Sequence, residues 1–326
     1  MVKHHIFGES HGEGIGVVLE GVPAGILVDM AFIRGEMARR APGQGILTTA
    51  RKEPDEPRIL SGVFEGRTTG TPLCAVIENT DTRSGDYSDL KIHPRPGHAD
   101  YAGWVRYEGH NDYRGGGHFS GRLTAPLVFA GAVAKLILRT RGVEISSFIS
   151  NIAGVENPTE AQIESEILDA RRQGDSVGGC IRCAVTGLPA GLGSPDYGCN
   201  VEGIFSQQLF AVPAVKAVAF GAGFRFAALR GSAANDAFYM DGVAIKTRTN
   251  HSGGVNGGIT NGMPVEYEVA LRATPSIAKE QETVDLETMT DAKLSVKGRH
   301  DPCIVQRALP VIEAAAALAA CEVLGI

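Results

Sequence analysis

The sequence lacks several features that would place it in a common class of protein. Its net charge is −6, with 31 basic against 37 acidic residues, and this balance argues against a general nucleic-acid-binding surface. No apolar run reaches the length of a transmembrane helix. The first residues, MVKHHIFGES, lack the apolar core of a signal peptide. We therefore expect a cytoplasmic protein that binds neither nucleic acid nor membrane.

The cysteines and histidines lack the spacing of a metal site. Cys180 and Cys183 form a single C-x-x-C pair in GGCIRCAV, and no second pair follows at zinc-finger spacing. The segment has the character of a strand, which favours buried, reduced thiols over a metal site. The histidines are also not grouped at the short intervals that metal ligands use. We expect no bound metal.

Glycine, in contrast, is present in excess. The chain of 326 residues carries 42 glycines, whereas a chain of this length carries about 23 at the average usage of ~7%. Without a collagen or linker period, the excess predicts tight turns and close backbone approaches, as expected around a bound ligand. No proline-rich or Ser/Gly linker divides the sequence, so we expect one continuous domain over residues 1–326.

The most unusual stretch is residues 93–122, HPRPGHADYAGWVRYEGHNDYRGGGHFSGR. It shows neither strand alternation nor helical periodicity. Arginine forks and glycine N–H groups favour negative charge, so the stretch indicates a wall of a site for an anionic ligand. A solvated surface loop is the alternative. The stretch holds four of the nine histidines and four arginines, namely His93, His98, His110, His118, Arg95, Arg106, Arg114 and Arg122.

Hydrophobic periodicity predicts the elements around this stretch. Helices are predicted over residues 30–40 with Asp29 as the N-cap, over 124–139 with apolar residues on all sides, and over 160–173 and 311–324. Strands are predicted over 14–19, 59–64, 72–79, 143–155, 178–185, 215–220 and 265–271. The segment GEGIGV is excluded as a dinucleotide-binding loop because its glycines alternate and no strand is predicted before it.

A short repeat suggests internal symmetry. GVPAG at residues 21–25 returns as GLPAG at 187–191, 166 positions later and about half the chain apart. The echo raises the possibility of two related halves around a pseudo-twofold axis. Together with the predicted elements, it favours an α+β fold in which antiparallel sheets cover the helices.

Three segments combine histidine or arginine with glycine: GESHG at residues 8–12, RPGHADY at 95–101 and KGRHDPC at 297–303. His11 and His98 are candidate proton-transfer groups because imidazole titrates near neutral pH. Asp301 is a candidate base or hydrogen-bond orienter. Each histidine taken alone is equally compatible with a structural role, and Arg40 can equally well cap its helix. The candidate clamps for a phosphate or carboxylate are Arg40, Arg51, Arg95, Arg122 and Arg299.

In this order, FGESHG, RPGHADY, DYRGGG, NHSGGVNGGI and KGRHDPC resemble the chorismate synthase family, and the resemblance runs from Phe7 to about Leu324. It implies a β–α–β sandwich with internal pseudosymmetry, in which helices pack between antiparallel sheets, and it implies a homotetramer. Reduced FMN is the implied cofactor and 5-enolpyruvylshikimate 3-phosphate (EPSP) the implied substrate. NADPH is expected to act only indirectly, through a separate flavin reductase.

The implied reaction is an anti-1,4-elimination of phosphate and one ring hydrogen, which gives chorismate with no net redox change. This is the last common step of the shikimate pathway to the aromatic amino acids. The alternative is a homologue that binds flavin or a phosphorylated metabolite but is catalytically impaired.

The resemblance also implies roles for individual residues. His11 would act on the leaving phosphate, His98 on the flavin near N1 and the C2 carbonyl, and Asp301 on proton traffic at flavin N5. The residues matching substrate-binding positions are Ser10, Arg40, Arg51, Arg95, Arg122 and Arg299. Those matching flavin-binding positions are His118, Phe119, Ser120, Ala214, Gly257, Arg272, Ala273, Thr274, Pro275, Ser276 and Arg299.

Four departures from the family pattern matter. Only six residues precede Phe7, so we expect the usual N-terminal strand to be missing. GGGHFSGR replaces the commoner GGGRSSAR, which places His118 where an arginine is usual. Ile46 stands where many relatives carry a basic residue that would contact a nucleotide. RATPSI replaces the commoner KPTSSI, moving a hydroxyl and a charge.

Overall fold

Two helices with almost no polar face form the centre of the fold. The structure is a computed structural model that describes residues 1–43, 53–81, 89–296 and 300–326. Its helices are α1 Met30–Arg40, α2 Asp100–Arg106, α3 Thr124–Arg139, α4 Glu160–Arg172, α5 Val201–Phe210, α6 Gly231–Ala234 and α7 Val305–Val323. Helices α3 and α7 cross at Gly131, where an added Cβ would lie 2.2 Å from the Cβ of Ala314. This close approach requires a residue without a side chain.

Two antiparallel sheets enclose these helices. The strands are β1 Lys3–Gly8, β2 Gly14–Glu20, β3 Pro57–Ser61, β4 Val63–Phe64, β5 Arg67–Thr68, β6 Leu73–Glu78, β7 Glu144–Ile152, β8 Val155–Glu156, β9 Gly179–Thr186, β10 Val215–Phe220, β11 Phe238–Asp241, β12 Ala244–Thr247, β13 Val255–Asn256, β14 Ile259–Thr260, β15 Val265–Leu271, β16 Gln281–Asp285 and β17 Thr290–Leu294. The first sheet has the order β1-β2-β6-β3 and the second β10-β15-β9-β7-β8. Helix α3 packs on β2 and β6, and α7 packs on β7 and β9. The predicted α+β sandwich is confirmed.

The two halves of the chain have the same topology. The order β1-β2-β6-β3 corresponds to β7-β9-β15-β10, and all the pairings in both sets are antiparallel. Helix α1 follows β2 as α5 follows β9, and α3 follows β6 as α7 follows β15. The internal pseudosymmetry therefore extends over both sheets and the four helices between them.

The repeated pentapeptide forms the same turn in both halves. Thr68 is buried and its Oγ1 donates to Pro23 O at 2.5 Å. In the second half, the buried Thr260 donates from Oγ1 to Pro189 O at 2.7 Å. The same hydroxyl oxygens accept from the backbone N–H three residues beyond each proline, at 3.0 and 2.9 Å. The repeated pentapeptide therefore marks a turn that occurs once in each half of the chain.

Most predicted elements are confirmed with small shifts at their ends. Asp29 caps α1 through an Oδ1 that accepts from Phe32 N at 3.0 Å. Helix α3 and strands β10 and β15 have the predicted bounds. Helix α7 begins at Val305, six residues before the predicted start, and it continues through Pro310.

Three strand predictions need correction. The expectation that the N-terminal strand is missing is wrong, because β1 pairs with β2 over six residues. A strand therefore does precede GEGIGV, and that segment is no dinucleotide loop because it leads into the antiparallel strand β2. The segment predicted over 59–64 is interrupted at Gly62, whose φ is +82°. The one predicted over 143–155 turns back at Ala153 and Gly154.

The stretch 93–122 is more ordered than predicted. It contains α2, the 3-10 helix Gly121–Leu123 and the segment Arg114–Phe119, whose helical turns are interrupted by non-helical backbone at Gly115, Gly116 and Gly117. The helical segment Gly121–Arg139 is long and apolar enough to cross a membrane, yet 78% of it is buried in the fold, which is typical of a core helix. All six cysteines are free. Within the described ranges, no group of three or more His, Cys, Asp or Glu residues could hold a metal ion.

Candidate active site

A cavity of about 670 Å³ opens where the two halves meet. Arg40 at the end of α1 and Ala211 just after α5 line it, as do Thr124 at the start of α3 and Ala308 near the start of α7. These are equivalent helix ends, so the cavity lies on the pseudo-twofold axis. Two helix N-termini and two helix C-termini meet here and carry opposite partial charges, so any preference for an anion comes from the side chains.

The charged lining of the cavity is mostly cationic. In the part of the chain that the structure describes, Asp301 is the one carboxylate that lines it. Apolar side chains, among them Leu127, Leu271 and Val311, form another part of the wall. The combination suits a ligand with several negative charges and a flat apolar portion. The lining cations are Arg40, Arg95, Arg122, Lys216, Arg272 and Arg307.

A buried carboxylate holds two of these arginines together. Asp55 is fully buried and accepts from Arg40 Nη1 at 2.5 Å through Oδ2 and from Arg122 Nη1 through Oδ1. Burial opposes ionisation of Asp55, but the charges and hydrogen bonds of Arg40 and Arg122 outweigh it and lower its pKa. Arg40 also donates to Thr124 Oγ1 at 3.1 Å, and Arg122 donates to Asn79 Oδ1 at 3.0 Å. Both guanidinium groups are therefore fixed before any ligand binds.

A second carboxylate, Asp100, holds Arg95 and His98. It accepts from Arg95 Nε at 2.7 Å and Nη2 at 2.8 Å, and it lies 2.5 Å from His98 Nδ1. Burial opposes ionisation of Asp100, but the hydrogen bonds from Arg95 and His98 hold its pKa well below its usual range. Arg95 reaches the other half of the chain through Nη1, which donates to Ser276 Oγ at 2.9 Å.

The glycine run lies against both candidate catalytic histidines. A Cβ added to Gly115 would lie 2.6 Å from His11 Nε2, and one added to Gly116 would lie 3.1 Å from His98 Cε1. The φ values of these glycines are +59° and +83°. His11 is buried behind Gly115 and does not itself line the cavity, whereas Gly115 and His98 do. Glycine at both positions lets the two imidazoles approach the backbone closely.

His118 has a defined partner. Its Nδ1 lies 3.0 Å from Gly8 O, and a carbonyl oxygen can only accept, so Nδ1 carries the proton. The side chain lines the cavity. This hydrogen bond joins the glycine-rich stretch to the end of β1.

The second half supplies the opposite wall. Thr274 Oγ1 donates to Asp301 O at 2.8 Å, and the Asp301 carboxylate pairs with Arg307 Nη1. Arg307 Nε donates to Arg40 O at 3.0 Å. Arg272 donates from Nη1 to Gly97 O. The RATPSI segment and the residues after RHDPC are thereby joined to the first half.

The structure brings together most of the residues predicted from the sequence. Arg51 and Arg299, and also Ile46, lie outside the described residues. Ser10, His11, Ala273 and Gly257 do not line the cavity, although the Ser10 hydroxyl lies close to Gly115 beside His11. The predicted residues that line it are Arg40, Arg95, His98, His118, Phe119, Ser120, Arg122, Ala214, Arg272, Thr274, Pro275, Ser276 and Asp301.

Sequence reasoning missed the residues that hold the others in place. Asp55 and Asp100 support the arginines, and Arg307 supports Asp301. Asp100 stood inside RPGHADY, where its spacing from Arg95 and His98 was the available signal. Nothing in the sequence around Asp55 indicates its partners, which lie 15 and 67 residues away. Arg307 lies only six residues from Asp301, but that spacing alone does not predict the pair.

Comparisons with known proteins identify the family. The family model described as Chorismate synthase matches residues 2–324. The chain is 47% identical to the chorismate synthase of Pyrococcus abyssi, over 94% of this chain and 91% of that relative. It is 45% identical to the chorismate synthase of Aeropyrum pernix, over 98% of this chain and 90% of that relative. A solved structure described as "Crystal Structure of Chorismate Synthase" is similar with a TM-score of 0.77 at 27% identity, over 99% of this chain and 91% of that chain.

Proposed function

Because this chain belongs to the chorismate synthase family and is therefore a lyase, we propose that it eliminates phosphate from EPSP to give chorismate with reduced FMN as cofactor. The observation that carries the proposal is the cavity on the pseudo-twofold axis. Its lining combines six cationic side chains with one carboxylate and an apolar wall. EPSP carries a phosphate and two carboxylates, so its binding requires such an excess of fixed positive charge.

The arginines act on the leaving phosphate. Arg40 and Arg122 are oriented by Asp55 before substrate arrives, so little reorganisation is needed as negative charge develops on the departing oxygen. His11 lies directly behind this site, against Gly115. We assign it to donating a proton or hydrogen bond to the leaving phosphate, a role that requires the backbone at Gly115 to leave room for the imidazole.

The residues present fit reduced FMN. The volume of about 670 Å³ lies within the range of small-molecule and cofactor sites, roughly 300–1,000 Å³. Leu127, Leu271 and Val311 offer an apolar surface for a flat ring system, and Lys216 with Arg272 would meet a phosphate. Bound in this way, the reduced cofactor supplies transient electron donation and an acceptor for the ring proton.

His98 and Asp301 are the proton-handling groups on this side of the cavity. Asp100 occupies Nδ1 of His98, so Nε2 is the nitrogen that remains for a ligand, and we assign it to the flavin N1 and C2 carbonyl edge. The Asp301 carboxylate, fixed by Arg307, is assigned to proton traffic near flavin N5. The apolar wall keeps water away from both groups.

An anaerobic assay with reduced FMN and EPSP tests the reaction. We expect stoichiometric release of phosphate and formation of chorismate. His11→Ala and His98→Ala should each lower kcat by about 10²–10⁴, the usual contribution of general acid–base catalysis. His93→Ala is the matched control, because His93 lies in the same stretch but pairs with Asp285 at 3.5 Å, away from the cavity lining.

The assay also separates the proposal from a catalytically impaired homologue. Folded protein that binds FMN but releases no phosphate would refute the proposed reaction and support the alternative. Full activity in both histidine variants would refute the assigned roles while leaving the reaction intact. The altered His118 loop motivates the alternative. A missing N-terminal strand would be a second reason for impaired catalysis, but β1 is present.

We also propose that flavin reduction is supplied by a separate NADPH-dependent reductase in the cytoplasm. Aerobic turnover sustained by NADPH and FMN with the purified chain alone would contradict this.

Helices α3 and α7, one from each half of the chain, pack against each other. This packing supports a single domain over residues 1–326. Separate unfolding transitions of the two halves would contradict that assignment.

The homotetramer is a further proposal, supported by a difference between the two sheets. On the outer face of the second sheet, Arg182 pairs across the strands with Glu268. The equivalent positions of the first sheet are Gly16 and Val76, with the ring of Phe7 lying over Gly16. The charged residues Lys3, Glu20, Arg58 and Glu78 lie on the same face around this pair. An apolar patch with a charged rim is typical of a surface covered by another subunit.

Two matched substitutions test this assignment. Val18 on the first sheet is equivalent to Ala184 on the second, 166 positions later. Val18→Glu should lower the molar mass measured by light scattering, and Ala184→Glu should not. The same molar mass for both variants would show that the patch around Gly16 and Val76 is not an assembly surface.

A further inference from the structure

Arg95 and His98 together occupy both oxygens of the Asp100 carboxylate. Its Oδ2 accepts from Arg95 N at 3.0 Å and from Arg95 Nε at 2.7 Å. Its Oδ1 accepts from Arg95 Nη2 at 2.8 Å and faces His98 Nδ1 at 2.5 Å. The Asp100 side chain is only 9% exposed. Each oxygen therefore has two nitrogen neighbours.

This geometry determines which nitrogen of His98 carries the proton. An ionised carboxylate can only accept, and an unprotonated Nδ1 at 2.5 Å would place two lone pairs against each other. Arg95 Nη2 also lies 3.0 Å from Nδ1, but this donor is already directed to Oδ1 at a shorter distance. The proton is therefore on Nδ1, and Nε2 carries none when the ring is neutral; Arg95 Nη2 lies 3.4 Å from Nε2, and His98 lines the cavity.

We propose that Asp100 is a positioning residue that sets the tautomer of His98 and the orientation of the Arg95 guanidinium with a single carboxylate. The assignment of the tautomer stands on the geometry of the chain alone. Its catalytic consequence rests on the proposed function, because it concerns the nitrogen that His98 would present to the flavin. The two parts can therefore fail separately.

Asp100→Asn is the informative variant because of how its amide must orient. An NH₂ group at the Oδ2 position would face two N–H donors of Arg95, whereas at Oδ1 it would face one donor of Arg95 and His98 Nδ1. The amide should take the second orientation and donate to Nδ1. His98 would then move its proton to Nε2. Replacing the carboxylate thus reverses the tautomer instead of merely loosening the ring.

Nitrogen-15 NMR of histidine-labelled, ligand-free protein measures this directly, with the His98 signal assigned by its loss in His98→Gln. We expect Nδ1–H in the wild type and Nε2–H in Asp100→Asn. The matched control is Asp112→Asn. Asp112 accepts from Arg114 N, Nε and Nη2 at 3.0, 2.8 and 2.8 Å in a similar fork arrangement, whereas the hydrogen-bond partners of His98 among the described residues are Arg95 and Asp100. The His98 tautomer should be unchanged in that control.

Kinetics separate the two functions of Asp100. Asp100→Asn should lower kcat by at least about 10²-fold, as expected when a catalytic histidine adopts the wrong tautomer, and it should raise KM through Arg95. In a His98→Ala background the same substitution should still raise KM but should lower kcat no further.

Three results would overturn the proposal. The first is Nε2–H on His98 in the wild type, which needs no variant and so decides the case even if Asp100→Asn does not fold. The second is an Asp100→Asn protein that keeps Nδ1–H. The third is a kcat loss of the same size in the presence and absence of His98. If the wild-type protein releases no phosphate but His98 carries Nδ1–H, the proposed function is refuted and the tautomer assignment stands.

Discussion

The charge on Asp55 should dominate the stability of the cavity wall. Asp55 is fully buried, and the side chains of Arg40 and Arg122 that it pairs with are 4% and 3% exposed. Asp55→Asn keeps the shape of the side chain but leaves the buried Arg40 guanidinium without its paired carboxylate and Arg122 with Glu53 alone, at 3.6 Å. Removal of one member of a buried ion pair costs about 3–5 kcal/mol. We expect the free energy of unfolding to fall by this amount.

Urea unfolding followed by circular dichroism at neutral pH measures the effect. Asp169→Asn is the control, because its pair with Arg172 is exposed and should contribute only about 0–1 kcal/mol. The dependence of the free energy on urea concentration should be the same in both variants, so that the midpoints report stability. A loss in Asp55→Asn no larger than in Asp169→Asn would refute the argument.

Added inorganic phosphate provides a second test of Asp55→Asn. With the Asp55 carboxylate removed, less negative charge offsets Arg40 and Arg122, so both should bind an added anion more strongly than in the wild type. A ligand that binds the folded state stabilises it by mass action. Added phosphate should therefore raise the unfolding midpoint of Asp55→Asn more than that of the wild type. Equal stabilisation of both proteins would show that Asp55 does not neutralise the two arginines.

Three further substitutions test the helix core and the polar cluster of Glu313, Arg39 and Lys135. Gly131→Ala should destabilise by about 1–3 kcal/mol through overpacking, because its Cβ would lie 2.2 Å from that of Ala314. Gly35→Ala, with nothing within 4 Å, should stabilise by up to about 1 kcal/mol; thermal unfolding distinguishes the two. Burial raises the pKa of Glu313, but hydrogen bonds from Arg39 and the other partners outweigh it and lower the pKa to about 2 from 4.5. Its stabilisation is therefore present above about pH 4.5 and lost as pH falls towards 2, so the stability difference between wild type and Glu313→Gln in urea should shrink from pH 7 to pH 3; a constant difference would contradict this.

The sequence predicts elements whose ends depend on local chemistry. Asp29 marks the start of α1, and the apolar run of α3 gives both of its ends. The start of α7 could not be found in this way. Pro310 is a local stop signal, but packing of α7 against α3 and the second sheet extends the helix back to Val305. The strand β1, KHHIFG, has little strand character of its own and forms because β2 offers it a pairing edge.

The site was predictable at the level of segments but not of side-chain contacts. The segments carrying His11, His98 and Asp301 do meet, as the motifs indicate. A motif does not show which of its side chains face a ligand, and His11 lies behind Gly115. Asp55 went unassigned because its partners lie 15 and 67 residues away in the chain.

The duplicated scaffold explains why these segments meet. The connection from β6 to α3 carries the stretch 93–122, and the equivalent connection from β15 to α7 carries RATPSI and RHDPC. Equivalent loops must lie on opposite sides of the pseudo-twofold axis, so each faces the other across the cavity. Arg95 Nη1 donates to Ser276 Oγ at 2.9 Å, and Leu286 N donates to Ile92 O at 2.9 Å, both between these two loops. The symmetric scaffold therefore fixes where the loops meet, while their unlike sequences supply the asymmetry that recognition of an asymmetric substrate requires.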